Sequence, residues 1–253
     1  MSTPVIEHFE RFELKFWAPR AKVEAAIAGL AGLMQEDEVA RRDGASQINT
    51  SLYLDSPGAT FFEQHVSGSP DRIKLRVRFY GDHPTGDTFF EIKRRQSSVV
   101  MKRRAVVPLE QARQVLDRLH GELPVQNEVL QAFQYLALRC RARPHLLVRA
   151  SRRALRATDR SQDVRVTVDS DVAWQPVRAQ SPLDPRPDRW RFIGHYGSAD
   201  TSRALVEVKF RKSHPLWLAR LLGQLAPWRV SFSKYIAACH DAKRDPFLAL
   251  DAA

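Results

Sequence analysis

Basic side chains recur at every second position in several short segments of this sequence. The segment IKLRVRFY shows this most clearly, with Lys74, Arg76 and Arg78 alternating with apolar residues. Because successive side chains of a β-strand point to opposite faces, this predicts a strand with one charged and one apolar face. Five further segments alternate in the same way: FERFELKF, FFEIKRR, LLVRASRRAL, DVRVTVDSDV and LVEVKFRK. The chain is therefore predicted to be rich in amphipathic strands.

The charged faces of these strands consist mainly of Arg and Lys, with an occasional carboxylate. Beyond IKLRVRFY, the members are Arg11, Glu13, Lys15, Glu91, Lys93, Arg95, Arg149, Ser151, Arg153, Arg165, Thr167, Asp169, Asp171, Glu207, Lys209 and Arg211. A solvated sheet face is the simpler interpretation, but such faces usually mix Ser, Thr, Gln, Lys and Glu. The recurrence of Arg and Lys from strand to strand favours charged faces that converge on one another.

Five segments have helical character and supply apolar faces that need a sheet to pack against. They are AKVEAAIAGLAGLM after Pro19, PLEQARQVLDRL, NEVLQAFQYLALRC, HPLWLARLLGQL and SFSKYIAACHDAKRD. Helices that cover the apolar outside of a sheet would turn its charged faces toward a common axis. The sequence therefore predicts an α+β fold, a closed antiparallel β-barrel with surrounding helices, in a single domain spanning 1–253.

The composition points to an anionic partner. The chain has 40 Lys and Arg against 29 Asp and Glu, a formal net charge of +11. Nucleic acid, anionic lipid and polyphosphate all fit this charge. A nucleic-acid site would favour exposed aromatic side chains, and the aromatics here alternate onto the apolar faces. The N-terminal segment lacks the order of a signal peptide and no apolar run reaches membrane-spanning length, so we expect a cytoplasmic protein without a transmembrane segment.

Basic groups crowded into a partly desolvated interior repel one another unless a multivalent anion neutralises them. Arg presents planar donor forks that match phosphate oxygens, and Lys presents a compact charge. The interspersed carboxylates would orient these bases or hold a divalent cation. The charged interior is therefore predicted to bind a phosphate-rich anion.

Nine segments in this order resemble the VTC domain, the polyphosphate polymerase branch of the triphosphate tunnel metalloenzymes. They are FELKF, TSLYLDS, IKLRVRFYG, FFEIKRR, MKRRAVV, LLVRASRRAL, VRVTVDSDV, LVEVKF and SFSKY. The resemblance implies a tunnel barrel that binds the triphosphate of ATP with Mn²⁺ or Mg²⁺. It further implies transfer of the terminal phosphate to inorganic phosphate or to a growing polyphosphate chain. Docking to a membrane protein that accepts the polymer stays open.

The resemblance also implies roles for individual residues. Arg76, Arg78 and Lys234 would be catalytic, by stabilising the transferring phosphoryl group. The same three would bind phosphate together with Lys15, Lys93, Lys102, Arg149, Arg165 and Ser233. Glu207 would hold the metal, with Asp169 or Glu91 assisting.

The first strand departs from the pattern of the hydrolytic members of the superfamily, which carry ExExK. The corresponding residues here are Arg11, Glu13 and Lys15, so a base replaces the first acid. One fewer carboxylate weakens the case for a two-metal hydrolase. An ATP-dependent polyphosphate polymerase is therefore the first hypothesis. A metal-dependent triphosphatase and a non-catalytic polyphosphate-binding module are the alternatives.

Overall fold

A computed structural model describes residues 11–37, 47–97, 99–121, 126–178, 180–193, 201–211 and 214–244. Within these ranges an antiparallel sheet is accompanied by six α-helices, which confirms the α+β class. The chain divides into two compact units. The first unit comprises 1–47, 152–170 and 202–232, and the second comprises 48–151, 171–201 and 233–253. The single domain over 1–253 stays a prediction.

Ten strands make up the sheet. They are β1 (Arg11–Pro19), β2 (Met34–Glu36), β3 (Gln47–Asp55), β4 (Asp71–Tyr80), β5 (Asp87–Gln96), β6 (Val99–Pro108), β7 (Arg143–Ala157), β8 (Arg165–Pro176), β9 (Arg191–Phe192) and β10 (Arg203–Arg211). Hydrogen bonding follows the order β1-β10-β8-β7-β3-β4-β5-β6, while β2 pairs with β7 and β9 with β8. Within the described ranges no ladder joins β1 to β6, so closure into a barrel is not confirmed.

The six helices are α1 (Arg20–Ala28), α2 (Thr60–Val66), α3 (Leu109–Asp117), α4 (Glu128–Arg139), α5 (Leu216–Leu225) and α6 (Lys234–Lys243). Five of them coincide with the segments predicted from sequence. No helix in the part of the chain that the structure describes has the length and apolar character needed to cross a bilayer.

In the first unit the apolar faces of β1, β10 and β8 form one core. The strand register places Phe16 opposite Val206 and Val206 opposite Val168. All three are buried, in one cluster with Ile27 of α1 and Leu218 of α5. The apolar half of the predicted alternation is therefore confirmed here, and the charged half lies on the other face of the same strands.

In the second unit β4, β5 and β6 place a second core under α3 and α4. Val77 lies opposite Phe90, and Phe90 lies opposite Ala105. The ring of Phe90 meets the ring of Phe133 on α4 edge-on, at a centroid distance of 5.0 Å. Because helices fill one face of this sheet, the clustered charges of Arg76, Glu91 and Arg104 project from the other face.

The first helix is shorter than the sequence predicts. It ends at Ala28, and Met34 begins β2 instead of extending the helix. Gly32 adopts a φ of +79°, a left-handed conformation that glycine tolerates and that turns the chain out of the helix. The two glycines of AGLAGLM therefore act as a helix stop, although the apolar spacing continues past them.

The short helix α2 was not predicted. Its seven residues are too few for a clear helical period, and its start depends on a residue that precedes it. The carboxylate of Asp55 at the end of β3 accepts hydrogen bonds from the backbone N–H groups of Phe61 and Phe62, at 2.8 and 3.0 Å. A buried carboxylate thus satisfies the first turn of α2.

Candidate functional site

The charged face of the second unit carries three lysines in one row. The antiparallel register places Lys74 on β4 opposite Lys93 on β5, and Lys93 opposite Lys102 on β6. Like charges placed directly opposite one another on a sheet destabilise it. Such a row is favourable when a multivalent anion binds across it. The structure therefore brings two predicted phosphate ligands, Lys93 and Lys102, together and adds Lys74 to them.

The neighbouring row on the same face is built around a buried acid. Glu91 on β5 lies between Arg76 on β4 and Arg104 on β6. Its side chain is 1% exposed and lies 3.3 Å from a guanidinium nitrogen of Arg78 and 3.1 Å from the ammonium of Lys102. Arg76 and Arg104 both donate hydrogen bonds to its oxygens.

The four bases keep Glu91 ionised. Burial opposes the charge of this carboxylate, but the charges of Arg76, Arg78 and Lys102 and the hydrogen bond from Arg104 outweigh burial and hold its pKa well below the usual range. Both oxygens of Glu91 are thus engaged by cations. Glu91 acts as the internal counter-ion of this face, and its assignment as a metal ligand stays a prediction.

Arg76 is held from a second side by a tyrosine. One of its terminal nitrogens donates to the hydroxyl of Tyr53 on β3 at 3.2 Å. Burial raises the pKa of Tyr53, but the nearby charges of Arg76, Lys234 and Arg78 lower it by more. The neighbours of Lys234 in sequence, Ser233 and Tyr235, contact Lys74 and the ring of Tyr53, so the first residue of α6 lies near the predicted RxR pair.

Ser233 also lies at this face. It directly precedes α6, and its hydroxyl accepts a hydrogen bond from the ammonium of Lys74 at 2.8 Å. Ser233 and Lys234 are 159 or more positions from Lys74 in sequence, yet the fold places them beside the lysine row. The resemblance to the SFSKY motif suggested both residues, whereas Lys74, Arg104 and Tyr53 were missing from the predicted site. Strand alternation could have indicated Arg104, because it follows Lys102 by two positions and therefore lies on the same face of β6.

A buried hydrogen-bond network anchors α6 in this position. The hydroxyl of Tyr235 donates to the carboxylate of Asp55, and its oxygen lies 2.9 Å from Nδ1 of His145. A phenol has one proton, so His145 must donate from Nδ1. Partial desolvation of the ring lowers the pKa of His145, which favours its neutral form. The ring of Tyr235 also stacks on the ring of Tyr53, with 4.8 Å between the ring centroids. The network is therefore in direct contact with the tyrosine that binds Arg76.

Replacing Tyr235 with Phe should lower the free energy of unfolding by about 1–2 kcal/mol, because a buried hydrogen bond to a carboxylate is lost while the ring contacts remain. Asp55 keeps its backbone donors, so a larger loss is not expected. Urea unfolding at neutral pH measures the difference. Tyr135→Phe is the matched control, since Tyr135 is 59% exposed on α4. Equal stability of the two variants would show that the Tyr235 hydroxyl contributes nothing.

The charged face of the first unit holds a different arrangement. Lys15 lies 3.3 Å from Glu13 and 3.5 Å from Glu207, and it donates to the carbonyl of Phe232 at 3.0 Å. Burial lowers the pKa of Lys15, but the charges of Glu207 and Glu13 raise it by more, so the group is a stable cation. Lys15 and Glu207 are thus already paired with each other.

The predicted metal ligands Glu207 and Asp169 both lie close to Arg152, which was not among the predicted site residues. Arg152 donates two hydrogen bonds of 2.6 Å to the fully buried Asp169, and one of its nitrogens lies 3.9 Å from Glu207. Alternation along β7 grouped Arg153 with Arg149 and Ser151, and in the structure Arg153 pairs with Glu36 at 2.7 Å.

The donor set of this face is compatible with a hard divalent cation. Glu207 is 8% exposed, and the register places Thr167 opposite it. The hydroxyl of Thr167 is buried without a hydrogen-bond partner. Two carboxylates and a hydroxyl are oxygen donors of the kind that Mg²⁺ and Mn²⁺ prefer. However, the described residues contain no group of three or more His, Cys, Asp or Glu side chains arranged to hold a metal.

The remaining predicted phosphate ligands have protein partners. Arg149 lies 2.7 Å from Asp82 and stacks over the ring of Trp190 at 4.4 Å. Arg165 lies 3.0 Å from Asp37. Asp171, which alternation placed beside Asp169, has a φ of +51°, so strict alternation is interrupted there. These pairings neither support nor exclude phosphate binding by Arg149 and Arg165, whose roles stay predictions.

The fold and its charged faces define an α+β protein with an antiparallel sheet that presents clustered Arg and Lys. The sequence matches the model of the VTC domain family over residues 10–242, and the chain belongs to this family. This confirms the resemblance found in the sequence. The match supports a polyphosphate-related protein.

A solved structure shares the fold at low sequence identity. A crystal structure of a candidate adenylate cyclase from Bacillus halodurans has 12% identity and a TM-score of 0.50, covering 87% of this chain and 92% of that chain. A candidate adenylate cyclase from Vibrio parahaemolyticus has 12% identity and a TM-score of 0.43, covering 91% and 98%. No curated protein matches the chain.

Proposed function

We propose that this protein is an ATP-dependent polyphosphate polymerase whose phosphate site is the charged face of β4, β5 and β6. The observation that carries the proposal is the charge balance of this face. Six bases lie in adjacent rows around the buried carboxylate of Glu91; they are Lys74, Arg76, Arg78, Lys93, Lys102 and Arg104. A chain of phosphates carries the repeated negative charge that would neutralise such rows.

The proposed reaction needs positioning and charge neutralisation more than a protein nucleophile. A terminal oxygen of inorganic phosphate or of polyphosphate attacks the γ-phosphorus of ATP. The bond from this phosphorus to the β,γ-bridging oxygen breaks, and ADP leaves with the electron pair. Arg76, Arg78 and Lys234 would stabilise the charge on the transferring group, because preformed cations need no reorganisation as charge shifts.

The lysines would hold the rest of the anion. Lys93 on β5 and Lys102 on β6 lie directly opposite each other on neighbouring strands, so successive phosphates could bind along their row. Lys74 would hold the N-terminal end of α6 at this face through its hydrogen bond to Ser233. Phosphate binding by Lys15, Arg149 and Arg165 also belongs to this proposal.

A divalent cation, Mn²⁺ or Mg²⁺, would be held in the first unit by Glu207 and Asp169. When bound, it would supply positive charge to phosphate oxygens. Arg152 would have to release both carboxylates, since it contacts each of them. The oxygen donors of Glu207 and Asp169 support this assignment. Glu91 is a weaker candidate for the metal, because four bases already contact its carboxylate.

The proposal is tested by incubating purified protein with ATP and Mn²⁺ and measuring polyphosphate, ADP and free phosphate separately. We expect polyphosphate to accumulate with one ADP released per phosphate added. Free phosphate without polymer would instead establish a triphosphatase. Binding of polyphosphate without turnover of ATP would instead indicate a non-catalytic polyphosphate-binding module. Either result would overturn the polymerase.

A further inference from the structure

The end of the β5–β6 hairpin projects apolar side chains into solvent. We define the hairpin tip as residues 93–103, of which Ser98 is outside the described residues. Val99, Val100 and Met101 are 59%, 53% and 41% exposed, three consecutive large apolar residues at the start of β6. The core of the sheet cannot account for them, since burial along these strands begins at Ile92 and Ala105. An exposed apolar cluster of this kind marks an interaction surface.

The same tip is strongly basic. Its five charged residues are all cations and none is an acid; they are Lys93, Arg94, Arg95, Lys102 and Arg103. Three acids border it: Glu91, which contacts Lys102, the 89% exposed Glu128, which lies 3.9 Å from Arg103, and Asp71, which lies opposite Gln96 on β4. The tip therefore combines aliphatic side chains with a positive field that its surroundings only partly compensate.

Two faces of the tip are distinct. Lys93 and Lys102 lie opposite each other on the phosphate-binding face proposed above. Arg94 lies opposite Met101, and Arg103 lies opposite Ile92, on the other face of the strands. Val99 and Met101 share this other face, whereas Val100 lies opposite Arg95 on the face of Lys93 and Lys102. Val99 and Met101, with Arg94 and Arg103, can therefore contact a partner without using the proposed phosphate ligands.

This combination distinguishes between the anionic partners that the net charge allows. Polyphosphate has no apolar part to contact Val99, Val100 and Met101. Single-stranded nucleic acid would favour aromatic side chains that stack on bases, and the tip has none. A second copy of the tip would be repelled by its own charge. An anionic bilayer satisfies both features, because its headgroups attract cations and its acyl region accepts aliphatic side chains.

We propose that the hairpin tip docks onto an anionic lipid surface, with Val99 and Met101 entering the headgroup boundary and Arg94 and Arg103 contacting acidic headgroups. The docking is peripheral and needs no spanning segment. It does not depend on the polymerase proposal, because the residues that distinguish it lie outside the proposed phosphate ligands.

The test is flotation of the full chain with vesicles of phosphatidylcholine containing about 30% phosphatidylserine, compared with phosphatidylcholine alone. We expect binding to the mixed vesicles only, with release at about 0.5 M salt because headgroup attraction is screened. Val99→Ser with Met101→Ser should weaken binding several-fold at unchanged charge, and Arg94→Glu with Arg103→Glu should weaken it by about tenfold or more.

The control is Arg113→Glu with Arg220→Glu, which makes the same change of net charge at exposed positions elsewhere. This variant should retain most of the binding. Equal loss in the control would show that only the net charge of the protein acts, and would overturn the proposal. Absence of wild-type binding, or binding that the serine variant leaves unchanged, would overturn it too. Thermal unfolding of each variant shows whether the fold is retained, and a single-substitution variant replaces any that unfolds.

Discussion

Arg76→Ala is expected to reduce ATP-dependent polyphosphate synthesis by at least about 100-fold while leaving the protein folded. Arg76 carries two of the contacts that organise the site, to Glu91 and to Tyr53. Its side chain is 25% exposed, so part of it remains available to a ligand on the charged face. Incorporation of phosphate from ATP into polymer measures the loss.

The fold should survive because Glu91 keeps three other cations after Arg76 is removed: Arg78, Lys102 and Arg104. The midpoint of thermal unfolding should therefore change by only a few degrees. Arg76→Lys keeps the charge but loses the forked donors, so we expect intermediate activity. Arg113→Ala, an exposed arginine of α3, is the control and should be fully active. Full activity of Arg76→Ala would exclude this arginine from the catalytic group.

Glu91→Gln is expected to lower the free energy of unfolding by about 3 kcal/mol at pH 7, since four clustered bases lose their shared counter-ion. Gln has nearly the same shape, so the packing around position 91 should be unchanged. Inorganic tripolyphosphate should restore stability to the variant, and raise its unfolding midpoint more than that of the wild type. The anion then supplies the charge that Glu91 supplied.

Glu128→Gln serves as the control for this substitution. Glu128 also faces an arginine, Arg103, but its side chain is 89% exposed and the separation is 3.9 Å. Exposed pairs contribute little, so the change should be within about 0.5 kcal/mol. Equal effects of the two substitutions would show that the cluster around Glu91 is not a special electrostatic site. Failure of tripolyphosphate to stabilise either protein would contradict phosphate binding at this face.

The same carboxylate makes the stability of the wild type depend on pH. Its pKa is lower in the folded protein than in the unfolded chain, where an ordinary Glu titrates near about 4.3. The stabilisation by Glu91 is therefore present above the pKa that this residue has in the unfolded chain. It is lost as the pH falls through the pKa of Glu91 in the folded protein. The stability difference between wild type and Glu91→Gln should be largest at neutral pH and shrink below about pH 4. Urea unfolding across this range tests the trend.

The charged face of β4 was predictable because strand geometry is local. Lys74, Arg76 and Arg78 alternate with apolar neighbours, and no distant residue is needed to infer that they share a face. The same rule correctly grouped Glu91 with Lys93, and Glu207 with Lys209. It did not single out Arg152 on β7, which contacts the buried Asp169. Alternation groups the residues of one strand by face, and it does not indicate which residue of another strand each of them meets.

The partners of these side chains could not be read from neighbouring residues. Lys74 meets Ser233 and Asp55 meets Tyr235 across separations of 159 and 180 positions. Periodicity therefore predicted which side of each strand is charged, since backbone geometry fixes that within a few residues. The long-range folding of the chain determined that Glu91 neutralises four bases and that the buried Asp55 positions α6, because electrostatic pairing depends on distance in space and not along the chain.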